Sequence, residues 1–567
     1  MNKKLPHHQY QDLYNLKDLV YVNAERWGDK PLYIYIENKE KNIYTYNDHK
    51  RTFNALGTAL YKYGLFEKTV SLVGDQHPDW IATYLSVISA GGVIVPLDRE
   101  LKADQLCGFI QITESEALFC TERELKDLSE FLPSLEKIRY IVLIGERPDP
   151  STLPSDGRIM FFDDLVAEGE KLLEEGERAF LDFERPTNTL ASILFTSGTT
   201  GTSKGVMLSE YNIVFSIVQC CRMVISDNND LFVSVLPIHH TFSLTTNHLA
   251  MSNIGATSFL NDSLRHTFKN ITEVKPTALI LVPLFVETMH KKIWDNIRKN
   301  GKEKQVRALM KASDAMRKTG IDMRRKIFAQ IIEAFGGNLK YIIVGGAPLE
   351  PQLIRDFDSF GIEIYEGYGI TECCPLISVN PYGWRKIGSA GYVAYGMEAR
   401  IEADEGETEG EIVVSGGNVF MGYYKNEEAT KEAFTADGWF RTGDIGRIDK
   451  DNFIYITGRK KNVIIASNGK NVYPEELEEY AHKIPYIKEI VVIGRKTETD
   501  TAITAIVYPD KDNYPDYTDE VFYEKILSHI NEINKGLPSF KHITALEIRD
   551  TEFEKTTTKK IKRFLVK

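Results

Sequence analysis

ILFTSGTTGTSKGVMLS, residues 193–209, carries an apolar run directly into a loop of glycines and hydroxyls that closes on a lysine. The loop itself is Thr196-Ser197-Gly198-Thr199-Thr200-Gly201-Thr202-Ser203-Lys204-Gly205. Glycines let backbone N–H groups approach a polyphosphate, the hydroxyls add donors, and Lys204 adds a positive charge. The composition suits a triphosphate. It is not a Walker A loop, because Ser203 stands where the second glycine belongs and Gly205 where the magnesium-binding hydroxyl belongs. Gly201-Thr202-Ser203-Lys204-Gly205 does satisfy G-x-S-x-G, the serine-hydrolase elbow, which needs its serine at a sharp strand-to-helix turn. The apolar run stops near Phe195, too early for that geometry.

Similar apolar runs recur outward from this loop: LASILF at 190–195, LFVSVL at 231–236, ALILV at 278–282 and YIIV at 341–344, with helix-like stretches between them. Such alternation predicts an α/β protein with largely parallel sheets. Residues 166–188 and 402–411 are acidic and poor in large apolar side chains, which predicts exposed connections or hairpin tips. At 567 residues the chain exceeds one ordinary domain, and 43% hydrophobic with 26% charged residues excludes disorder or coiled coil for its bulk. A net charge of -12 gives no global positive field for nucleic acid. The six cysteines form no C-x-x-C, so neither a zinc pattern nor a disulfide framework is expected, and a reducing cytosol fits. The first twenty residues lack the apolar core of a signal peptide, and no apolar run reaches the roughly 20 residues of a spanning helix. A cytoplasmic location is therefore expected. Segment 291–326 departs from the acidic balance, with 13 Lys or Arg against 4 Asp or Glu. It suits a solvated helical hairpin, or a surface meeting an anionic membrane at its inner face or a large phosphorylated substrate.

On the 193–209 loop and the motifs that follow, the chain resembles the adenylate-forming superfamily of acyl- and aryl-CoA synthetases, nonribosomal peptide adenylation domains and firefly luciferase. Tyr365-Glu366-Gly367-Tyr368-Gly369-Ile370-Thr371-Glu372 resembles the family's Y-G-x-T-E motif. The resemblance implies that Gly367 and Gly369 let the backbone pass a flat base, Tyr368 stacks on adenine, Thr371 donates to phosphate and Glu372 holds Mg²⁺. Gly345-Gly346-Ala347-Pro348 is similar to the adenine-side loop, although alone it is an ordinary βα turn. Trp439-Phe440-Arg441-Thr442-Gly443-Asp444 resembles W-x-x-T-G-D, whose aspartate accepts from both ribose hydroxyls. Gly458-Arg459-Lys460 follows as the segment in which Arg459 reaches ribose or phosphate and Lys460 is the interdomain hinge.

Pro237-Ile238-His239-His240 resembles the P-x-x-H segment, which implies that His240 lies near the reaction centre; Ser243 stands where many long-chain members have Glu. Adjacent histidines in a strand point to opposite faces and no further ligand lies at metal spacing, so no metal is expected there. Lys555-Thr556-Thr557-Thr558-Lys559-Lys560-Ile561 is similar to K-T-x-T-G-K-I and implies Lys560 as the adenylation lysine, with Lys559 in place of the usual glycine; by composition the same stretch is a basic exposed tail. Ser203 replaces a usual proline and Ile465 a frequent lysine. Ser467-Asn468-Gly469-Lys470-Asn471-Val472-Tyr473-Pro474 resembles the loop that faces the site in the thiol-transfer step.

Together these similarities imply an α/β N-terminal domain of parallel-rich sheets plus a β-barrel-like subdomain at 1–457, a hinge at 458–461 and a small mobile α+β domain at 462–567. They imply that ATP, Mg²⁺ and a carboxylic acid give an acyl-adenylate, which passes to coenzyme A. The closest look is that of bacterial long-chain fatty acid–CoA ligases. Aryl or bile acids, an acyl-carrier-protein acceptor and a non-catalytic binding relative stay open, as does the oligomeric state.

Overall fold

β-branched and aromatic runs bounded by glycine and polar turns supply the strands, and each strand register below follows from burying those runs on both faces. The structure is a computed structural model that describes residues 13–196, 203–224, 226–465, 471–496, 501–555 and 561–566. These residues divide into two compact units. The larger draws on the chain up to residue 398 and on 416–432; the smaller is built from 399–415 and from 433 onward. The smaller unit thus takes in 433–457, which the sequence-based boundary at 458–461 assigned to the N-terminal domain.

One sheet of the larger unit has its strands in the order Gly422–Tyr423, Lys204–Ser209, Leu190–Thr196, Val93–Leu97, Thr69–Val73, Ala117–Cys120, Tyr140–Leu143 and Ile159–Phe161. From Leu190–Thr196 onward every pairing is parallel, while Lys204–Ser209 and Gly422–Tyr423 add antiparallel edge strands. The second sheet is parallel across Glu363–Gly369, Tyr341–Val344, Ala278–Leu281, Leu231–Ser234, Thr257–Leu260 and Pro31–Glu37. All four runs named from sequence are strands of these two sheets, and their interiors are buried.

Residues 166–188 correct one expectation. The helix Phe162–Glu174 covers much of that stretch, and a Cβ added to its Gly169 would stand 1.8 Å from the Ala55 carbonyl oxygen. The acidic side chains cover the outward face of a helix that packs by its glycine, so their density marked solvent exposure rather than a loop. Residues 403–409 do join the strands Met397–Glu402 and Gly410–Gly416 as a tip.

Segment 291–326 is helical: Pro283–Lys299, Glu303–Lys318 and Arg324–Ile327. Its apolar stripe is buried through Met289, Ile293, Trp294 and Ile297, while Leu309, Met316 and Ile321 are exposed among the basic residues. Arg317 and Arg324 anchor it to Asp358 at 2.6 and 3.2 Å. No helix among the described residues is long and apolar enough to cross a membrane.

Met397–Glu402, Gly410–Gly416, Phe440–Ile448 and Phe453–Arg459 follow one another in strand order, with Phe440–Ile448 antiparallel to both Gly410–Gly416 and Phe453–Arg459, the pairing expected of the barrel-like subdomain. A second sheet of Ile487–Lys496, Thr501–Pro509 and Ala545–Ile548 is covered by the helices Pro474–Ala481 and Asp519–Lys535 through Leu477, Phe522, Ile526 and Ile530. The C-terminal stretch is less tail-like than its composition. Phe553 is buried against Val491 and Ile506, Ile561 and Val566 pack beside it, Lys555 pairs with Glu489, and Lys555 and Ile561 form an antiparallel bridge.

Candidate functional site

In open α/β sheets, loops at the carboxyl ends of parallel strands converge, and ligands bind there. Four of the motifs lie at such ends in the larger unit. Thr196 closes Leu190–Thr196, and its partner across the hairpin is Lys204. A strand, Lys204–Ser209, follows the loop in place of a helix, which removes the serine-hydrolase elbow. Ser197, Gly198, Thr199, Thr200 and Gly201 lie outside the described residues.

Gly346, Ala347 and Pro348 follow Tyr341–Val344 as an exposed turn, with Gly346 at φ +92°, a backbone conformation that favours glycine. Glu366, Gly367, Tyr368 and Gly369 form the end of Glu363–Gly369, where the chain turns back antiparallel into Leu376–Val379. Tyr368 is 8% exposed and Glu366 half-buried, its carbonyl accepting from the Asn380 N–H at 2.8 Å. Gly369 is required for a reason other than a passing base. A Cβ there would lie 1.9 Å from the Pro375 carbonyl oxygen, so the chain's own return strand excludes any side chain. At Gly367 a Cβ would make ordinary contacts of 3.4 Å or more.

Thr371 and Glu372 begin a single 3₁₀ turn, Thr371–Cys373, and both are half-buried. Glu372 is held by a strap that sequence reasoning missed. Asn418 Nδ2 donates to the carbonyls of Cys373 and Leu376 at 2.7 and 2.6 Å, and the Phe420 N–H donates to the Glu372 carbonyl at 2.8 Å. Asn212, capping the helix Glu210–Met223 with Ser209, also donates to the carbonyls of Gly417 and Val419. The strap ends at Tyr423, whose hydroxyl donates to Glu372 Oε1 at 2.8 Å, while Lys204 Nζ stands 4.6 Å from the centre of its ring. Burial first, then the Glu372 charge, raises the Tyr423 phenol and keeps it a donor. Glu372 Oε2 makes no hydrogen bond among the described residues. A carboxylate beside a threonine hydroxyl is an oxygen donor set that fits Mg²⁺. The only local hint of Tyr423 was a glycine-rich stretch, GGNVFMGYY at 416–424, and nothing in it points to residue 372.

The histidine pair departs from the opposite-face expectation. The strand Leu231–Ser234 stops before Pro237, so His239 and His240 lie in a turn, where the period-two rule does not apply. Their rings are 4.1 Å apart. Asp98, just past the end of Val93–Leu97 in the other sheet, brings its Oδ2 to 3.5 Å from His239 Nε2. Directly after the turn the chain forms a nine-residue π-helix, Phe242–Ala250, a rare conformation frequent at functional sites.

Asp444 and Arg459 lie in the smaller unit and face each other across the strands Phe440–Ile448 and Phe453–Arg459. Arg459 Nε is 2.7 Å from Asp444 Oδ1, and the Asp444 N–H is bound by the Thr442 hydroxyl at 3.1 Å. Asp444 is 2% exposed and Arg459 largely exposed, so the pair has one anchored and one outward member. Lys460 Nζ contacts Glu411 Oε2 at 2.7 Å, sharing that carboxylate with Arg441. Gly469, Lys559 and Lys560 lie outside the described residues.

Residues 20–424 match the AMP-binding enzyme family, and residues 461–566 match the AMP-binding enzyme C-terminal domain. Among curated proteins, the chain is 28% identical over 526 residues to long-chain-fatty-acid CoA ligase FadD15 of Mycobacterium bovis, covering 86% of this chain and 84% of that one. It is also 28% identical over 507 residues to long-chain-fatty-acid CoA ligase ACSBG2 of Mus musculus, covering 85% and 75%. Among solved structures, the anthranilate CoA ligase AuaEII in complex with anthranoyl-AMP superposes with a TM-score of 0.77 at 20% identity, covering 97% and 96%. ATP-bound MatB from Rhodopseudomonas palustris superposes with a TM-score of 0.73 at 24% identity, covering 97% of each chain. At those identities the likeness is one of fold.

Proposed function

Because the chain belongs to the AMP-binding enzyme family, we propose that it activates a medium- or long-chain fatty acid with ATP and transfers the acyl group to coenzyme A. The observation that carries this reading is the Lys204, Tyr423 and Glu372 arrangement, which sets a cation, a phenol and a carboxylate at the end of the Thr196–Lys204 loop. The naming of FadD15 and ACSBG2 as long-chain-fatty-acid ligases supports the choice of acid.

A carboxylate is a weak nucleophile toward a polyanion because like charges repel. In the proposed first step the fatty carboxylate attacks the α-phosphorus of ATP; the bond to the β-phosphate oxygen breaks and pyrophosphate leaves. Mg²⁺, when bound, supplies charge neutralisation for the phosphates. Lys204 adds a fixed cation, Thr371 a hydroxyl donor, and Glu372, oriented by Tyr423, the oxygen ligand. His240 lies beside the carboxylate, Tyr368 against adenine, and Asp444 with Arg459 at the ribose. Lys560 serves this step. In the second step the thiol sulfur of coenzyme A attacks the acyl carbon and AMP leaves, after a hinge at Lys460 brings the Gly469 loop forward. No protein nucleophile takes part, so catalysis is positioning and electrostatics. The basic helices of 291–326, with Leu309, Met316 and Ile321 exposed among them, suit peripheral contact with an anionic membrane, where such acids partition.

The test is carboxylate-dependent ATP–pyrophosphate exchange over a panel of fatty, aryl and bile acids, followed by coenzyme A consumption. Exchange that peaks with fatty acids and consumes the thiol is the expected result. A peak with aryl acids, exchange without thiol consumption, or silence across the panel each overturns the reading. Lys560→Ala is expected to abolish exchange while sparing thioester formation from supplied acyl-adenylate; equal loss of both refutes the lysine's role.

A further inference from the structure

We propose that Asp98, His239 and His240 form a binding site for a divalent transition metal of the zinc class, separate from the Mg²⁺ expected at Glu372. One carboxylate and two imidazoles offer donor atoms that all lie within 4.8 Å of one another. This donor set suits zinc, cobalt, nickel or copper, whereas Mg²⁺ prefers oxygen and would compete poorly.

The geometry is close to that of a site. Metal–ligand bonds of about 2.0–2.1 Å place tetrahedral ligands roughly 3.3 Å apart. His239 Nε2 and Asp98 Oδ2 are already 3.5 Å apart. The third donor must close by about 1.5 Å at most, the scale of one ring rotation. The Glu100 N–H donates to Asp98 Oδ1 at 2.9 Å, and it is the other carboxylate oxygen, Oδ2, that lies near His239.

His239 supplies the independent sign. It is 8% exposed, and among the described residues its buried Nε2 makes no hydrogen bond, having only the Asp98 carboxylate at 3.5 Å, a costly arrangement for a polar nitrogen in a protein interior. A metal ion at this position satisfies it. The three ligands come from the carboxyl ends of strands in two different sheets, Val93–Leu97 and Leu231–Ser234, so the site exists only once both sheets have folded.

A metal bound here holds the His240 ring against His239 and Asp98 and withdraws it from a substrate carboxylate. The site is therefore inhibitory, a consequence that rests on the placing of His240 in the proposed reaction; the binding itself does not. The experiment is a Co²⁺ titration of the full chain in millimolar Mg²⁺, followed by visible absorption and by the metal's effect on the melting temperature, with Zn²⁺ as competitor. One equivalent is expected to bind without a thiolate charge-transfer band, and to raise the melting temperature. His239→Asn and Asp98→Asn are each expected to weaken binding at least about tenfold, at an unchanged metal-free melting temperature. Equal affinity in wild type and both variants, or a thiolate band, overturns the site. Binding lost in the variants but without inhibition of exchange in the wild type leaves the site standing and overturns the role given to His240.

Discussion

Tyr423→Phe deletes one oxygen and isolates the strap's action on Glu372. The hydroxyl lies 2.8 Å from Glu372 Oε1, and a hydrogen bond to a charged group contributes about 1.5–3 kcal/mol. Glu372 is half-buried, so water replaces part of that bond and the lower end, about 1.5 kcal/mol, applies. About 1.4 kcal/mol is tenfold in an equilibrium or rate. The expected result is an increase of about tenfold in the Mg²⁺ concentration that half-saturates ATP–pyrophosphate exchange. The ring stays in place, so its contact with Lys204 at 4.6 Å survives in Phe. Tyr423→Leu removes that contact too, and a cation–π pair of about 0.5–1 kcal/mol adds a further twofold to fivefold loss. Urea denaturation should show both variants folded, with Tyr423→Phe within about 1 kcal/mol of wild type. If both variants keep the wild-type Mg²⁺ dependence, Tyr423 does not position Glu372 and the reasoning fails.

Gly369→Ala forces a Cβ to 1.9 Å from a backbone oxygen, so a loss of about 3 kcal/mol or more in urea unfolding is expected; a neutral variant would falsify the close-approach argument. Asp358 gathers Arg317, Arg385 and Arg324 at 2.6, 2.8 and 3.2 Å. Asp358→Asn takes the shared carboxylate from three guanidinium groups, leaving Arg324 with Asp322 at 2.7 Å and Arg385 with Glu363 at 3.7 Å, and about 3 kcal/mol of stability should disappear, whereas less than about 1 kcal/mol would mean that those partners and water already screen the cluster. His77 lies 3.2 Å from Asp79 and 3.6 Å from Glu37. Burial opposes its charge, but the two carboxylates outweigh that and raise it to about 9. Against about 6.5 in the unfolded chain, this stabilisation is complete below about pH 6.5 and is lost as pH rises through about 9, amounting to about 3 kcal/mol. Urea midpoints should fall across that window in wild type and stay flat in His77→Asn; parallel curves would show that the ring is not the titrating group.

The amino-acid pattern carried much of the fold and the kinds of chemistry. LASILF, LFVSVL, ALILV and YIIV are strands because unbroken β-prone apolar runs bury both faces of a parallel sheet, a local property. Loop composition likewise pointed to phosphate at 196–204, since glycines and hydroxyls act through their own backbone. Where local rules misled, a neighbour in space was the cause. The acidic stretch at 166–174 is a helix because Gly169 meets Ala55, and the pair His239-His240 shares one face because Pro237 and the following π-helix end the strand periodicity.

Residue types and their order along the chain determine which groups are on hand: a lysine after a glycine loop, a carboxylate after G-Y-G-I-T, two histidines two residues after a proline. Which of them meet is a matter of packing. Tyr423 reaches Glu372 across 51 positions of sequence, and Asp98 reaches His239 from a different sheet, because strand order and the strap anchored by Asn212 and Asn418 set those separations. No periodicity encodes a distance between residues on separate elements. Such distances follow from the joint burial of all the apolar faces, which is a property of the folded chain as a whole.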